Sequence, residues 1–224
     1  MARAAAIGSH EAPLTDRFYR RAPIDLAIAL LGCRIVRQTA DGWTGVAVIV
    51  ETEAYAGPAD RASHARFGRT ARTAPMFGPG GRAYVYLVYG MHWCLNIVAG
   101  PPAEAAAVLI RAAAPLGGVA EMAARSNLTM ATVARAAAGP GRLTRALAID
   151  GTLDGADLTR RGPLWLAPPQ PGAAEQLAAD GIVVGPRIGV AYAGSPWAER
   201  PWRFGWRGHR ALSRPFPATP GAEV

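Results

Sequence analysis

The chain has 224 residues, half of them hydrophobic, which fits one domain with a substantial core. No apolar run reaches the roughly 18 residues of a membrane span, and the opening MARAAAIGSHEAPLTD lacks the stretch of about 7–15 apolar residues of a secretory signal; a cytoplasmic bacterial protein with no membrane partner is the expectation. The formal net charge is +8 and all 24 basic residues are arginine, so no side-chain amine is available for imine chemistry.

A GC-rich genome accounts for arginine in place of lysine. It does not account for the excess of base over acid, which is the footprint of a phosphate-bearing partner. Cys33 and Cys94 lie far apart in apolar stretches and read as two buried thiols. The four histidines have no metal-ligand spacing, and neither a metal nor a cofactor is expected.

Residues 1–13 read as a loose arm, 14–213 as the domain and 214–224 as a flexible Pro- and Gly-rich tail. PIDLAIALLG (23–32) predicts a short helix stopped by Gly32. CRIVRQ (33–38) and TGVAVIVETEAY (44–55) predict a hairpin turning at Ala40-Asp41-Gly42. Residues 56–81 are loop-like and carry Arg61, Arg66, Arg69 and Arg72. RAYVYLVYGMHWCLNIVAG (82–100) predicts two strands meeting near Gly90, and 105–115 another strand. Helices are predicted at 118–125, 130–137 and 142–148, and strands at 164–167, 182–184, 187–191 and 202–206. GPGR (139–142) reads as a helix start, with a phosphate nest as its alternative. Strands in hairpins with helices between them predict an α+β domain, mostly antiparallel.

Side chains alternate along a strand, so Glu51, Glu53 and Tyr55 are expected on one face and Val50, Thr52 and Ala54 on the other. Two carboxylates about 7 Å apart by strand rise suit either the acid/base pair of a sugar hydrolase or an acidic surface. In the second hairpin Tyr84 and Tyr86 share a face, and Tyr89 and Met91 flank the tip. Exposed apolar groups at a tip are costly without a partner, and wedging between base pairs is one such use. A carboxylate, aromatic faces (Tyr55, His64, Tyr86), a wedge and a basic envelope are together what an enzyme needs to extract and cut a base.

VETEAYAGPADRASH (50–64), MFGPGGRAYVYLVYGMHWCLN (76–96) and VLIRAAAPLGG (108–118) resemble the alkyladenine, or methylpurine, DNA glycosylases; 14–37, GPGRLTRALAID (139–150) and RIGV…PWAERPWRFGWRG extend the likeness over about 14–210. The resemblance implies a curved, mostly antiparallel sheet with surrounding helices and a protruding β-hairpin that enters the DNA minor groove. It implies a monomeric, monofunctional base-excision-repair enzyme acting on double-stranded DNA, with 3-methyladenine, 7-methylguanine, hypoxanthine and ethenoadenine as the lesion class. It makes Glu53 the general base. Tyr55, His64 and Tyr86 would hold the flipped base, with the His64 backbone N–H donating to its edge. Asn96 would disfavour guanine, and Tyr89 with Met91 would fill the gap in the duplex. Arg111 would lie near the attacking water and a phosphate, and Arg69 would contact another phosphate. Glu51 receives no role. Ala65, Phe67, His92 and Trp93 depart from the family's usual residues.

Three rivals stand beside this reading. A non-catalytic damaged-DNA-binding protein shares the charge and the wedge. A sugar or nucleoside hydrolase would use Glu51 with Glu53. A metal enzyme would use Glu53, Asp60 and His64.

Overall fold

A computed structural model describes residues 12–217; most of the expected N-terminal arm and of the expected C-terminal tail lies outside them. Two short helices, α1 (Asp16–Tyr19) and α2 (Pro23–Ala29), lead into β1 (Arg34–Gln38) and β2 (Thr44–Tyr55). Pro23 opens α2, where its missing N–H costs nothing. The hairpin β3 (Ala83–Val88) and β4 (His92–Ala99) follows, then β5 (Ala106–Gly117), α3 (Val119–Arg125) and α4 (Pro140–Ala146). The remainder is β6 (Leu164–Ala167), α5 (Ala173–Asp180), β7 (Ile182–Gly185) and β8 (Arg203–Trp206).

The strands form an open sheet in the order β3-β4-β5-β2-β1-β6, every pairing antiparallel. β2 is long enough to pair with β1 through Thr44–Val48 and with β8 through Glu51–Glu53 along the same edge. With five helices around a mostly antiparallel sheet, the domain is α+β.

One sheet face is apolar and covered by helices. Leu26 and Leu30 near α2, Met122 of α3 and Leu143 of α4 bury themselves against Ile35, Ile49, Leu95, Ile97, Val108 and Ile110. The alternate residues Tyr84, Val98 and Ala107 belong to the other face, with Met76 from the 56–81 loop.

Alternation along β2 is not continuous. Ala47 and Ile49 face the helical layer, but so do Ala54 and Thr52, whose hydroxyl donates to the Ala27 carbonyl at 2.9 Å. The phase reverses because two one-residue bulges face each other. Ile49 pairs with Ala113, Glu51 with Ala112 and Thr52 with Ile110, which leaves Val50 extra on β2 and Arg111 extra on β5. Val50 therefore joins Ala112, Trp206 and Ala211 on the far face and does not sit on the side of Thr52 and Ala54. The bulges deliver Glu51, Glu53, Tyr55 and Arg111 to that far face together.

Three predicted elements need correction. Residues 130–137 form no α-helix, only a 3-10 turn at Val133–Arg135. Residues 187–191 are not a strand, because Arg187 and the Ile188 N–H bond to side chains across the molecule. Helix α4 begins two residues before the predicted 142 because Pro140 follows Gly139 as its first residue.

Candidate active site

The far face of the sheet carries a cleft of about 650 Å³, within the usual range for small-molecule sites of about 300–1,000 Å³. Tyr55, His64, Tyr86, Tyr89, Asn96 and Arg111 all line it. They come from β2, the 3-10 turn His64–Phe67, β3, its tip, β4 and β5, so the sheet order gathers them.

Glu53 stands behind this lining and is fully buried. Its Oε1 accepts the Ile188 N–H at 2.7 Å and Arg111 Nη1 at 3.2 Å, and its Oε2 accepts the Tyr55 hydroxyl at 2.9 Å. Burial pushes its carboxyl pKa above the ordinary value, while Arg111, the Ile188 N–H and Tyr55 pull it back. Burial also raises the Tyr55 phenol well above its usual value, so the phenol stays a donor.

His64 meets the Tyr86 ring edge-on at 4.5 Å, and its Nδ1 lies 3.0 Å from the Tyr84 hydroxyl. Tyr84 and Tyr86 are 5.0 Å apart between centroids. Burial, helped by Arg72 and Arg66, lowers the His64 imidazole to about 4. A histidine titration by NMR should therefore find His64 neutral from pH 8 to about pH 5. Stability is lost as pH falls from about 6.5 to about 4, because the folded value lies under the unfolded one. A midpoint near the ordinary value of about 6.5 would mean that the ring is solvated.

Asn96 is buried, with Nδ2 donating to the Tyr84 carbonyl at 3.2 Å. Cys94 lines the same cleft, and burial pushes its thiol up to about 11; both cysteines are buried and free. At the β3–β4 tip Tyr89 and Gly90 have φ of +52° and +68°, and the Met91 N–H donates to the Val88 carbonyl at 3.0 Å. Two positive φ values are what a type I′ turn requires. Tyr89 pays that strain with its ring 86% exposed, and Met91 is 69% exposed beside it. Arg69 is exposed and lies outside the cleft lining.

A family model of the methylpurine-DNA glycosylases matches residues 17–210. The chain belongs to that family. A protein of Anaeromyxobacter dehalogenans strain 2CP-C, provisionally named a 3-methyladenine DNA glycosylase, is 47% identical over 205 residues, 91% of this chain and 88% of its own. A Frankia casuarinae protein with the same provisional name is 44% identical over 211 residues, covering 89% and 92%. The DNA-3-methyladenine glycosylase of Mus musculus is 40% identical over 203 residues, 87% of this chain and 59% of the mouse protein.

Of the four residues set apart in the sequence, Phe67 lines the cleft and Ala65, His92 and Trp93 are not among its lining. The His92 ring packs on Gly141 at the start of α4, and the Trp93 ring on Gly151, where any Cβ would collide. Ala65 is buried with Met76 and Tyr84. Phe67 is 67% exposed at the cleft rim, where Arg66 lies over its ring.

Two buried ion pairs behind the cleft are not visible in the sequence. Asp60, weighed from sequence as a metal ligand, is fully buried and clasped by Arg187, whose Nη2 donates to Oδ1 at 2.9 Å. It also accepts the Ala56 and Ala62 N–H groups, which leaves little for a cation. Glu51 is likewise buried, taken by Arg203, Arg111 and Ser213. It is neither a surface carboxylate nor a free acid to partner Glu53.

Proposed function

We infer that the chain excises alkylated and deaminated purines, of the class of 3-methyladenine, 7-methylguanine, hypoxanthine and ethenoadenine, from double-stranded DNA as a monofunctional glycosylase. The observation that carries this reading is Glu53, buried and held by three donors directly behind a cleft walled by tyrosines and a neutral histidine. A flipped purine offers two π-faces, and Tyr55, His64 and Tyr86 supply aromatic surface for them. Asn96 lines the same cleft and is assigned the edge of the base.

A carboxylate has about four acceptor positions, and Glu53 uses three. The fourth, on Oε2, orients the attacking water. The water oxygen bonds to the sugar C1′ as the bond from C1′ to the base nitrogen breaks. The bonding pair leaves with the base, and the water proton passes to Glu53. An N3- or N7-alkylated purine carries positive charge and leaves readily, so one carboxylate suffices. The nearby anion also favours the oxocarbenium-like sugar. Arg111, which holds Glu53, is also assigned a phosphate of the flipped nucleotide, and Arg69 is assigned a phosphate further out. With no lysine, and only the N-terminal amine able to form an imine, an intact abasic site is the expected product.

The test is base release from end-labelled duplexes carrying one hypoxanthine or one 3-methyladenine analogue, with a chelator present, followed by hot alkali. Strand cleavage only after alkali is expected. Release from none of these lesions, with lesion binding intact, would favour the non-catalytic binding protein.

Tyr89 and Met91 at the hairpin tip are assigned the gap left by the flipped base. Because Tyr89 touches so little protein, Tyr89→Ala should leave the melting temperature unchanged. It should weaken lesion-duplex binding by the roughly 1–3 kcal/mol of one aromatic–base stack. Undiminished affinity in a titration against the lesion duplex would remove the wedge.

A further inference from the structure

Arg111 is held from two sides. Its Nη1 reaches Glu53, while its Nε lies 3.3 Å from Glu51 Oε1 and donates to the Ser213 hydroxyl at 3.3 Å. Glu51 in turn accepts the Ser213 N–H at 2.6 Å, the Ser213 hydroxyl at 2.9 Å and Arg203 Nη1 at 3.1 Å. Ser213 lies beyond β8 in a stretch without helix or strand.

That stretch is nevertheless tied down. Arg203 Nη2 donates to the Pro215 carbonyl at 3.0 Å, and its guanidinium lies 3.7 Å over the Phe216 ring. Gly205 of β8 leaves the space for the ring, since a Cβ there would stand 2.7 Å from it. Neither Glu51, Arg203, Ser213 nor Phe216 lines the cleft. A long arginine with one ion pair keeps much of its rotamer freedom. A second carboxylate and a hydroxyl on Nε remove that freedom while Nη1 faces Glu53.

We propose that residues 212–217 form a strap that positions Arg111 against Glu53, with Ser213 as its point of contact and Phe216 as its anchor. Ser213 and Glu51 are thus positioning residues. The proposal rests on Glu53 being the base of the reaction above. The groups that face Glu53 are Glu51 and Tyr55 from its own strand, Arg111 from β5, Cys94 from β4 and the Ile188 N–H. Of these only Arg111 is cationic, so loosening it raises the pH at which Glu53 ionises.

Full-length Ser213→Ala, Phe216→Ala and Ser213→Thr should be compared with wild type. Single-turnover base release would be followed across about pH 5 to 9, with lesion-duplex affinity and melting temperature measured alongside. For the first two variants the rate should fall roughly tenfold or more and its acid limb should move to higher pH, with affinity little changed. Ser213→Thr, which keeps the hydroxyl and the N–H, should restore both. Wild-type rates and an unmoved acid limb in Ser213→Ala and Phe216→Ala would overturn the strap. So would losses that follow melting temperature alone and are not rescued by threonine. The Arg111 Nε–H resonance judges the strap without catalysis: sharp in wild type, it should broaden or exchange faster in Ser213→Ala. A wild type that releases no base but shows this change would sink the glycosylase chemistry and leave the strap standing; an unchanged resonance would sink the strap.

Discussion

Glu53→Gln is expected to lose base release by a factor of roughly 10² to 10⁴, the usual contribution of a general base, without losing stability. The two halves of this expectation have one cause. Burial raises the Glu53 carboxyl above its ordinary value. A group shifted upward stabilises the fold fully only below its unfolded value, and that contribution is lost as pH rises through the folded value. Above its folded value the ionised carboxylate is therefore a strain on the fold that glutamine relieves, and glutamine still accepts from the Ile188 N–H. The same shift sets the pH profile of the wild type, whose rate should fall on the acid side as Glu53 takes up a proton. Thermal melts and alkali-revealed strand cleavage of the two proteins decide it. A glutamine variant that melts much lower, or that keeps its rate, contradicts the assignment.

Asp60→Ala should do the opposite and break the fold first. It strands the Arg187 guanidinium, whose side chain is fully buried, and removing one partner of such a pair costs about 3–5 kcal/mol. For a chain of this size that is roughly 10 °C in melting temperature. Activity should fall as well, because Arg187 precedes Ile188, whose N–H holds Glu53 at 2.7 Å. Replacing Arg187 by leucine in the same chain should recover part of the stability, since an apolar pair carries no stranded charge. A single variant that melts with the wild type would show that Asp60 is not the anchor of this loop.

These expectations divide along what sequence makes legible. The β1–β2 and β3–β4 hairpins follow from alternating apolar residues bounded by Asp41-Gly42 and Tyr89-Gly90, because both signals are local. Helix α5 is absent from the predicted elements, although Gly172 and Gly181 stand at its ends with helix formers between. Residues 187–191 look like a strand because their apolar pattern is that of one, and only partners 127 and 135 residues away reveal otherwise. The aromatic set of the cleft is visible as residues sharing strand faces, and its roles come from the family resemblance. The buried pairs Asp60–Arg187 and Glu51–Arg203 are not, since in a chain with 24 arginines nothing local says which guanidinium meets which acid. Cleft and core also depend on the bulges, which strict alternation conceals.

The extra residue at Val50 gives the strand a parity. Up to Ile49 odd-numbered side chains belong to the helical layer, and from Glu51 onward the odd ones belong to the cleft. Deleting Val50 would remove the bulge from β2 yet leave Glu51, Glu53 and Tyr55 on the cleft face, whereas fitting Val50 into the ladder as a regular residue would turn Glu53 and Tyr55 into the apolar layer and present Thr52 and Ala54 to the cleft. A chain regularised in this way would keep every residue named in the cleft and have no site. The site therefore depends on where the strand holds its extra residue, and a change at position 50 is judged by whether the bulge survives it.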